Sequence, residues 1–295
     1  MIIGDNREAV IKNIARLSES GEFNGKVETN DPVVTNEEGK AMLRGYVQKR
    51  STLGYKIKNT VARGIASVAT RIINKDTEIV GAEILSSLDS GAIITSNHFS
   101  PLDNTVVRHL TKSLGKKRVN IICQLTNFAM DGFIGFLMNY ADTIPIGSDA
   151  EYMSHSLPAI LSELLENKEL VLIYPEKEMW FNYRKPRPTL DGAYHYASKF
   201  CVPIISCFVE MIDLDEMDTE DFRKVGYKIH VLGLLYPDKD KSVRENRKAL
   251  KSLDYQLKKE AYERIYNKKL DYSFEPSDIA GWTGEKAETV INEAN

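Results

Sequence analysis

Cysteine is scarce. The three residues present, Cys123, Cys201 and Cys207 in a chain of 295, are too few for a disulfide framework and stand at no CxxC spacing of the zinc-binding kind. A reducing compartment follows. Long apolar runs are missing too: no stretch reaches the ~18 consecutive apolar residues that a membrane span needs. The opening MIIGDNREAVIKNIARL places Asp5, Arg7 and Glu8 where a signal peptide would keep an apolar core. The expectation is a protein neither secreted nor membrane-spanning. Histidines are few, and His109, His155, His195 and His230 form no metal-ligand spacing, so each reads as structural. What is present, 42% hydrophobic and 27% charged residues, is ordinary globular composition and excludes a collagenous or mostly disordered chain.

The net charge of −3 conceals a basic block. Between Gly39 and Lys75 stand Lys40, Arg44, Lys49, Arg50, Lys56, Lys58, Arg63, Arg71 and Lys75, with no Asp or Glu among them. Ile57, Val61, Ile65, Val68 and Ile72 recur there at helical spacing. A basic amphipathic helix suits an anionic membrane surface. The same pattern also suits a helix whose apolar stripe packs on a core while its lysines stay solvated, and the two readings are compatible.

The chain divides by pattern into an N-terminal helix and irregular arm (1–40), a body (41–270) and a tail without clear pattern (271–295). The first helix rests on Ile3, Val10, Ile11, Ile14 and Leu17, and the arm on Gly21, Gly25, Asp31-Pro32, Asn36 and Gly39. In the body, β-type runs at 92–95, 119–124, 143–146, 170–174, 202–211 and 227–235 alternate with helical patterns at 100–113, 151–166 and 191–200. This predicts an α/β fold with a mostly parallel sheet flanked by helices, preceded by a helical arm. Residues 239–269, dense in charge with apolar residues at helical spacing, predict a long surface helix. The run from Phe128 to Met138 is strongly apolar and suits either a core element or a segment that dips into lipid.

In such sheets chemistry sits beyond the carboxyl ends of the strands. There Ala92 to Thr95 runs into Ser96-Asn97-His98-Phe99-Ser100-Pro101-Leu102-Asp103. If the loop folds back, Asp103 can hold one ring nitrogen of His98 and leave the other free to take a proton from a hydroxyl or thiol. Such a dyad needs no protein nucleophile, because the attacking oxygen can belong to a substrate. Ser100 invites a Ser-His-Asp reading, but no G-x-S-x-G turn surrounds it, and its hydroxyl suits a helix cap near Pro101.

Together with Tyr174-Pro175-Glu176 at the end of a second apolar strand and Val202-Pro203-Ile204-Ile205 opening a third, Asn97-His98-Phe99-Ser100-Pro101-Leu102-Asp103 resembles the motifs of the glycerolipid acyltransferases, the lysophosphatidic acid acyltransferase family. The resemblance spans roughly Asn97 to Ile205. It implies transfer of a fatty acyl group from acyl-CoA or acyl carrier protein to the hydroxyl of a lysophospholipid, by default 1-acyl-glycerol-3-phosphate. His98 would be the base and Asp103 its orienting partner. It implies neither cofactor nor metal, no nucleic acid, and a peripheral place on the cytoplasmic face of a membrane. Oxyanion donors would be backbone N–H groups near the first motif, with the Asn97 side chain a further candidate.

Two segments depart from the family pattern. Ile144-Pro145-Ile146-Gly147-Ser148-Asp149 lacks the arginine that usually ends the second motif, and the Gly-Thr-Arg after Glu176 is replaced by Lys177 to Pro188. Arg184, Lys185 and Arg187 could restore phosphate binding, since guanidinium groups hold phosphate through paired hydrogen bonds. A rigid solvated loop held by Pro186 and Pro188 is the competing reading. Substrate-binding candidates are therefore Asn97, Ser100, Glu176, Lys177, Arg184, Lys185 and Arg187, with Glu176 assigned to the acceptor by resemblance. A glycolipid acceptor, a thioesterase or esterase, and a non-catalytic lipid-binding protein are the alternatives.

Overall fold

The computed structural model describes residues 6–29, 32–116 and 118–283. The expectations for Ile3, Asp31 and the end of the tail fall outside them. Three helices lead: α1 (Arg7–Glu19), α2 (Asn36–Lys49) and α3 (Leu53–Ile73). The start of α2 is fixed by a capping box, in which Thr35 and Glu38 satisfy each other's backbone N–H groups.

A seven-stranded sheet follows, built from β1 (Glu78–Val80), β2 (Ala92–Thr95), β3 (Val119–Gln124), β4 (Thr143–Ile146), β5 (Leu170–Leu172), β6 (Ile204–Thr219) and β7 (Phe222–Leu235). Its order is β1-β7-β6-β2-β5-β3-β4. Every neighbouring pair is parallel except β6 and β7, which form a long antiparallel hairpin. The connecting helices are α4 (Asp103–Ser113), α5 (Leu125–Phe128), α6 (Gly132–Tyr140), α7 (Leu157–Glu166), α8 (Gly192–Phe200) and α9 (Val243–Tyr266).

Period-two alternation divides the core. Ile93 and Val171 face one side, with Leu157, Leu161, Tyr194 and Leu250. Ala92, Ile94, Leu170 and Leu172 face the other, with Val106, Val107 and Leu110. The result is an α/β fold with helices on both faces of a mostly parallel sheet.

Three differences from the sequence reading have physical reasons. The helix expected at the surface, α9, carries Asp254 and Lys258 on its buried face, where Lys258 Nζ meets Asp254 Oδ2 at 2.6 Å and Thr95 Oγ1 at 2.9 Å. Charges that pair can occupy a core face that hydropathy assigns to solvent. The arm is part of the packed body: Val10, Ile11, Ile14 and Leu17 of α1 bury against Trp180, Phe181, Tyr183 and Phe222. So is the described start of the tail, where Ile279 bridges Tyr183, Trp282 bridges Phe222, and buried Asp278 meets Lys185 at 2.7 Å.

Candidate active site

The site grows from the carboxyl end of β2. Its apolar residues give way to Ser96-Asn97-His98, and the chain loops until Asp103 opens α4, where a carboxylate is favoured by the helix's positive end. From there Asp103 turns back into the loop. Its Oδ2 accepts from Phe99 N at 3.0 Å, from Ser100 N at 3.3 Å and from His98 Nδ1 at 2.7 Å, while Oδ1 accepts the Tyr174 hydroxyl at 2.6 Å. A carboxylate only accepts, so Nδ1 carries a hydrogen, and in the neutral imidazole Nε2 is the nitrogen with the free lone pair. Asp103 is 2% exposed, and the His98 side chain 21%, enough for a substrate to reach it.

The imidazole is held on its face as well. The ring of Tyr174 stacks on it, with centroids 4.0 Å apart and planes 11° from parallel. Burial first, then the charge of Asp103 beside it, pushes the Tyr174 phenol well above its ordinary value, so it remains a donor. Tyr174 is the residue that sequence reasoning missed. The available signal was a tyrosine ending the otherwise aliphatic run Leu170 to Ile173.

A buried ion pair grips the peptide groups of His98. Glu176 Oε2 accepts from His98 N at 3.3 Å and from Arg187 Nη2 at 2.8 Å, and Oε1 accepts from Arg187 N at 3.0 Å. Arg187 Nη2 also lies 3.5 Å from the His98 carbonyl oxygen, which Trp180 N binds at 3.1 Å. The Arg187 guanidinium sits 4.5 Å from the Trp180 ring centre and donates to Phe23 O at 2.8 Å and to Glu178 O. Both members of the pair are almost wholly buried. The unusual loop after Glu176 therefore braces the histidine.

This corrects the phosphate expectation for the cationic cluster. Arg187 is committed to Glu176, and Lys185 is sealed against Asp278 and the carbonyl of Ser273. Arg184 binds Asp213 at 2.5 Å and the carbonyls of Met211 and Ser277. Of the expected set only Lys177 is exposed, paired with Glu178 at 3.1 Å. Glu178 in turn accepts from Gln124 at the end of β3.

Asn97 is also committed, exchanging two hydrogen bonds with the backbone of Val209. The amides of Phe99 and Ser100 are spent on Asp103, so the loop's first free-donor candidates for an oxyanion are already engaged. Ser100 Oγ accepts from Leu102 N at 3.2 Å and closes the turn before α4; it does not cap the helix, whose N-cap position is Leu102. Among the described residues no group of three or more His, Cys, Asp or Glu could hold a metal ion.

Residues 76–210 match the family model described as Acyltransferase. The matched stretch contains the dyad, Tyr174, and the Glu176–Arg187 pair. Among solved structures the chain is similar to the 1-acyl-sn-glycerophosphate (LPA) acyltransferase PlsC of Thermotoga maritima, at 15% identity and a TM-score of 0.48. That alignment covers 89% of this chain and 98% of the other. No curated protein matches the sequence.

Proposed function

We propose that the chain transfers a fatty acyl group from a thioester, acyl-CoA or acyl carrier protein, to a hydroxyl of a lysolipid held at a membrane surface. The observation that carries this reading is the His98–Asp103 contact at 2.7 Å, which in the neutral imidazole holds the hydrogen on Nδ1 and leaves Nε2 as the acceptor. As the acceptor oxygen attacks the thioester carbonyl carbon, Nε2 takes its proton, and Asp103 stabilises the imidazolium. The tetrahedral intermediate then collapses. The carbon–sulfur bond breaks, the imidazolium returns the proton to the leaving thiolate, and an ester and a free thiol remain.

Membrane contact is supported by α3, where Leu53, Ile57, Val61, Val68 and Ile72 form an exposed apolar stripe flanked by Lys56, Lys58 and Arg71. Beside it α6 exposes Phe133 and buries only Gly135. No described helix is long and apolar enough to cross a membrane. An apolar stripe edged by cations fits the surface of an anionic bilayer.

Lysophosphatidate is the default acceptor by resemblance. A second reading, a lysolipid with a neutral headgroup such as a glycolipid, is favoured by the internal commitment of Arg184, Lys185 and Arg187. The test is a labelled-acyl assay with both donors and a panel of phosphate-bearing and neutral lysolipids, followed by product analysis. Ester that depends on acceptor supports transfer. Free fatty acid formed at the same rate with or without acceptor would replace it with a thioesterase.

A further inference from the structure

Away from the dyad, α3 and the C-terminal end of α4 enclose an open cleft of ≈ 380 Å³. Arg63, Lys112 and Lys116 line it, together with Thr60 and Ser67. Its floor is open because Gly64 and Gly115 have nothing within 4 Å of the position a Cβ would take. Lys112 Nζ is fixed by the Ser67 carbonyl at 2.8 Å, with Arg71 and Arg108 close enough to repel it. Burial first, then those two like charges, lowers the Lys112 pKa. Among the described residues no carboxylate pairs with Arg63, Arg71 or Lys112. Asp89, which feels Lys116, is itself paired with Lys168 at 2.7 Å.

Cations gathered without counter-charge, beside two hydroxyl-bearing side chains and an uncovered floor, suit an anion. The geometry points to a binding site for the phosphate of an anionic membrane lipid headgroup in the cleft between α3 and α4, separate from the acyl-transfer centre. The lipid source is argued from the flanks: Val61, Val68 and Ile72 stand exposed on the same helix, so an anion in the cleft would sit where acyl chains could lie along α3. Lys112 lies nine residues along α4 from Asp103, about 14 Å at 1.5 Å per residue, so this phosphate is not that of the reacting acceptor. The site rests on the membrane-surface reading above.

The test is vesicle flotation of the full chain with phosphatidylcholine alone and with phosphatidylcholine containing phosphatidylglycerol, at one ionic strength. Arg63→Ala/Lys112→Ala is compared with Lys49→Ala/Lys56→Ala, which removes the same charge outside the cleft. Gly64→Glu, which keeps both cations and fills the floor, guards against misfolding of the double variant. At about 1 kcal/mol per cation near an anionic surface the control pair should lose on the order of 10- to 30-fold of the binding to anionic vesicles, and Arg63→Ala/Lys112→Ala and Gly64→Glu should each lose roughly tenfold more than that. Equal losses in both pairs would reduce the site to diffuse attraction and overturn it.

Wild-type binding that is the same on both vesicle types, yet abolished by Ile57→Asn/Val61→Asn, would keep the membrane reading and remove the cleft. Binding to neither vesicle would remove the membrane reading itself. Inorganic phosphate is the second probe. If it shifts the Gly64 and Gly115 amide resonances at millimolar concentration while the cleft variants still bind anionic vesicles normally, the ligand is soluble phosphate, and the lipid assignment fails.

Discussion

Replacing Asp103 by asparagine separates two duties of the carboxylate, orienting His98 and stabilising its charge. Oδ2 receives three hydrogen bonds, from His98 Nδ1, Phe99 N and Ser100 N, whereas Oδ1 receives only the Tyr174 hydroxyl. The amide of Asp103→Asn must keep its oxygen at the Oδ2 position, because an NH₂ there would face three donors. Its NH₂ then faces Tyr174, whose hydroxyl can turn from donor to acceptor. The imidazole tautomer is thereby preserved, and only the charge is lost. A hydrogen bond to a charged partner contributes about 1.5–3 kcal/mol, so kcat should fall about 10- to 150-fold. Loss of the tautomer would instead cost on the order of 10⁴. Steady-state acyl transfer by folded Asp103→Asn measures the difference. A loss below twofold would remove Asp103 from the mechanism, and a loss near 10⁴ would refute the orientation argument.

Tyr174→Phe keeps a ring against His98 but leaves buried Asp103 Oδ1 without its donor, at a cost of about 1–3 kcal/mol in stability by chemical denaturation. Arg187→Met strands buried Glu176 and should cost about 3–5 kcal/mol, with an additional drop in kcat because the grip on the His98 backbone loosens; unchanged kcat would confine the pair to stability. Lys258→Met should cost a similar amount by leaving Asp254 charged and unpaired, and Lys258→Met/Asp254→Leu should recover part of it. Burial pushes the Cys123 and Cys207 thiols up to about 12, so at neutral pH a thiol reagent should titrate exposed Cys201 in the native protein and all three cysteines after unfolding.

The parallel heart of the sheet was legible because its signals are local. The runs 92–95, 119–124 and 143–146 are apolar, short and bounded by turn residues, and β2, β3 and β4 occupy those spans. The β6–β7 hairpin was read short because Asp213 to Glu220 is acidic and exposed, which conceals an extended strand. The proximity of His98 and Asp103 was likewise readable, since five residues and one turn separate them.

Their supports were not readable, because they depend on distant pairing. Arg187 looked like a phosphate ligand until Glu176, Trp180 and Phe23 were seen to enclose it. Asp254 and Lys258 looked solvated until Thr95 and Tyr194 met them. Charge in a sequence marks a need for partners, and only the fold says whether those partners are water, lipid or another side chain.

The central claim, that His98 is the base of an acyl transfer, is tested most directly by incubating wild type and His98→Ala with a labelled thioester and the acceptor that wild type prefers. Acceptor-dependent ester should form with wild type and vanish with His98→Ala while the fold, read by circular dichroism, is retained. Equal ester formation by the two proteins would contradict it.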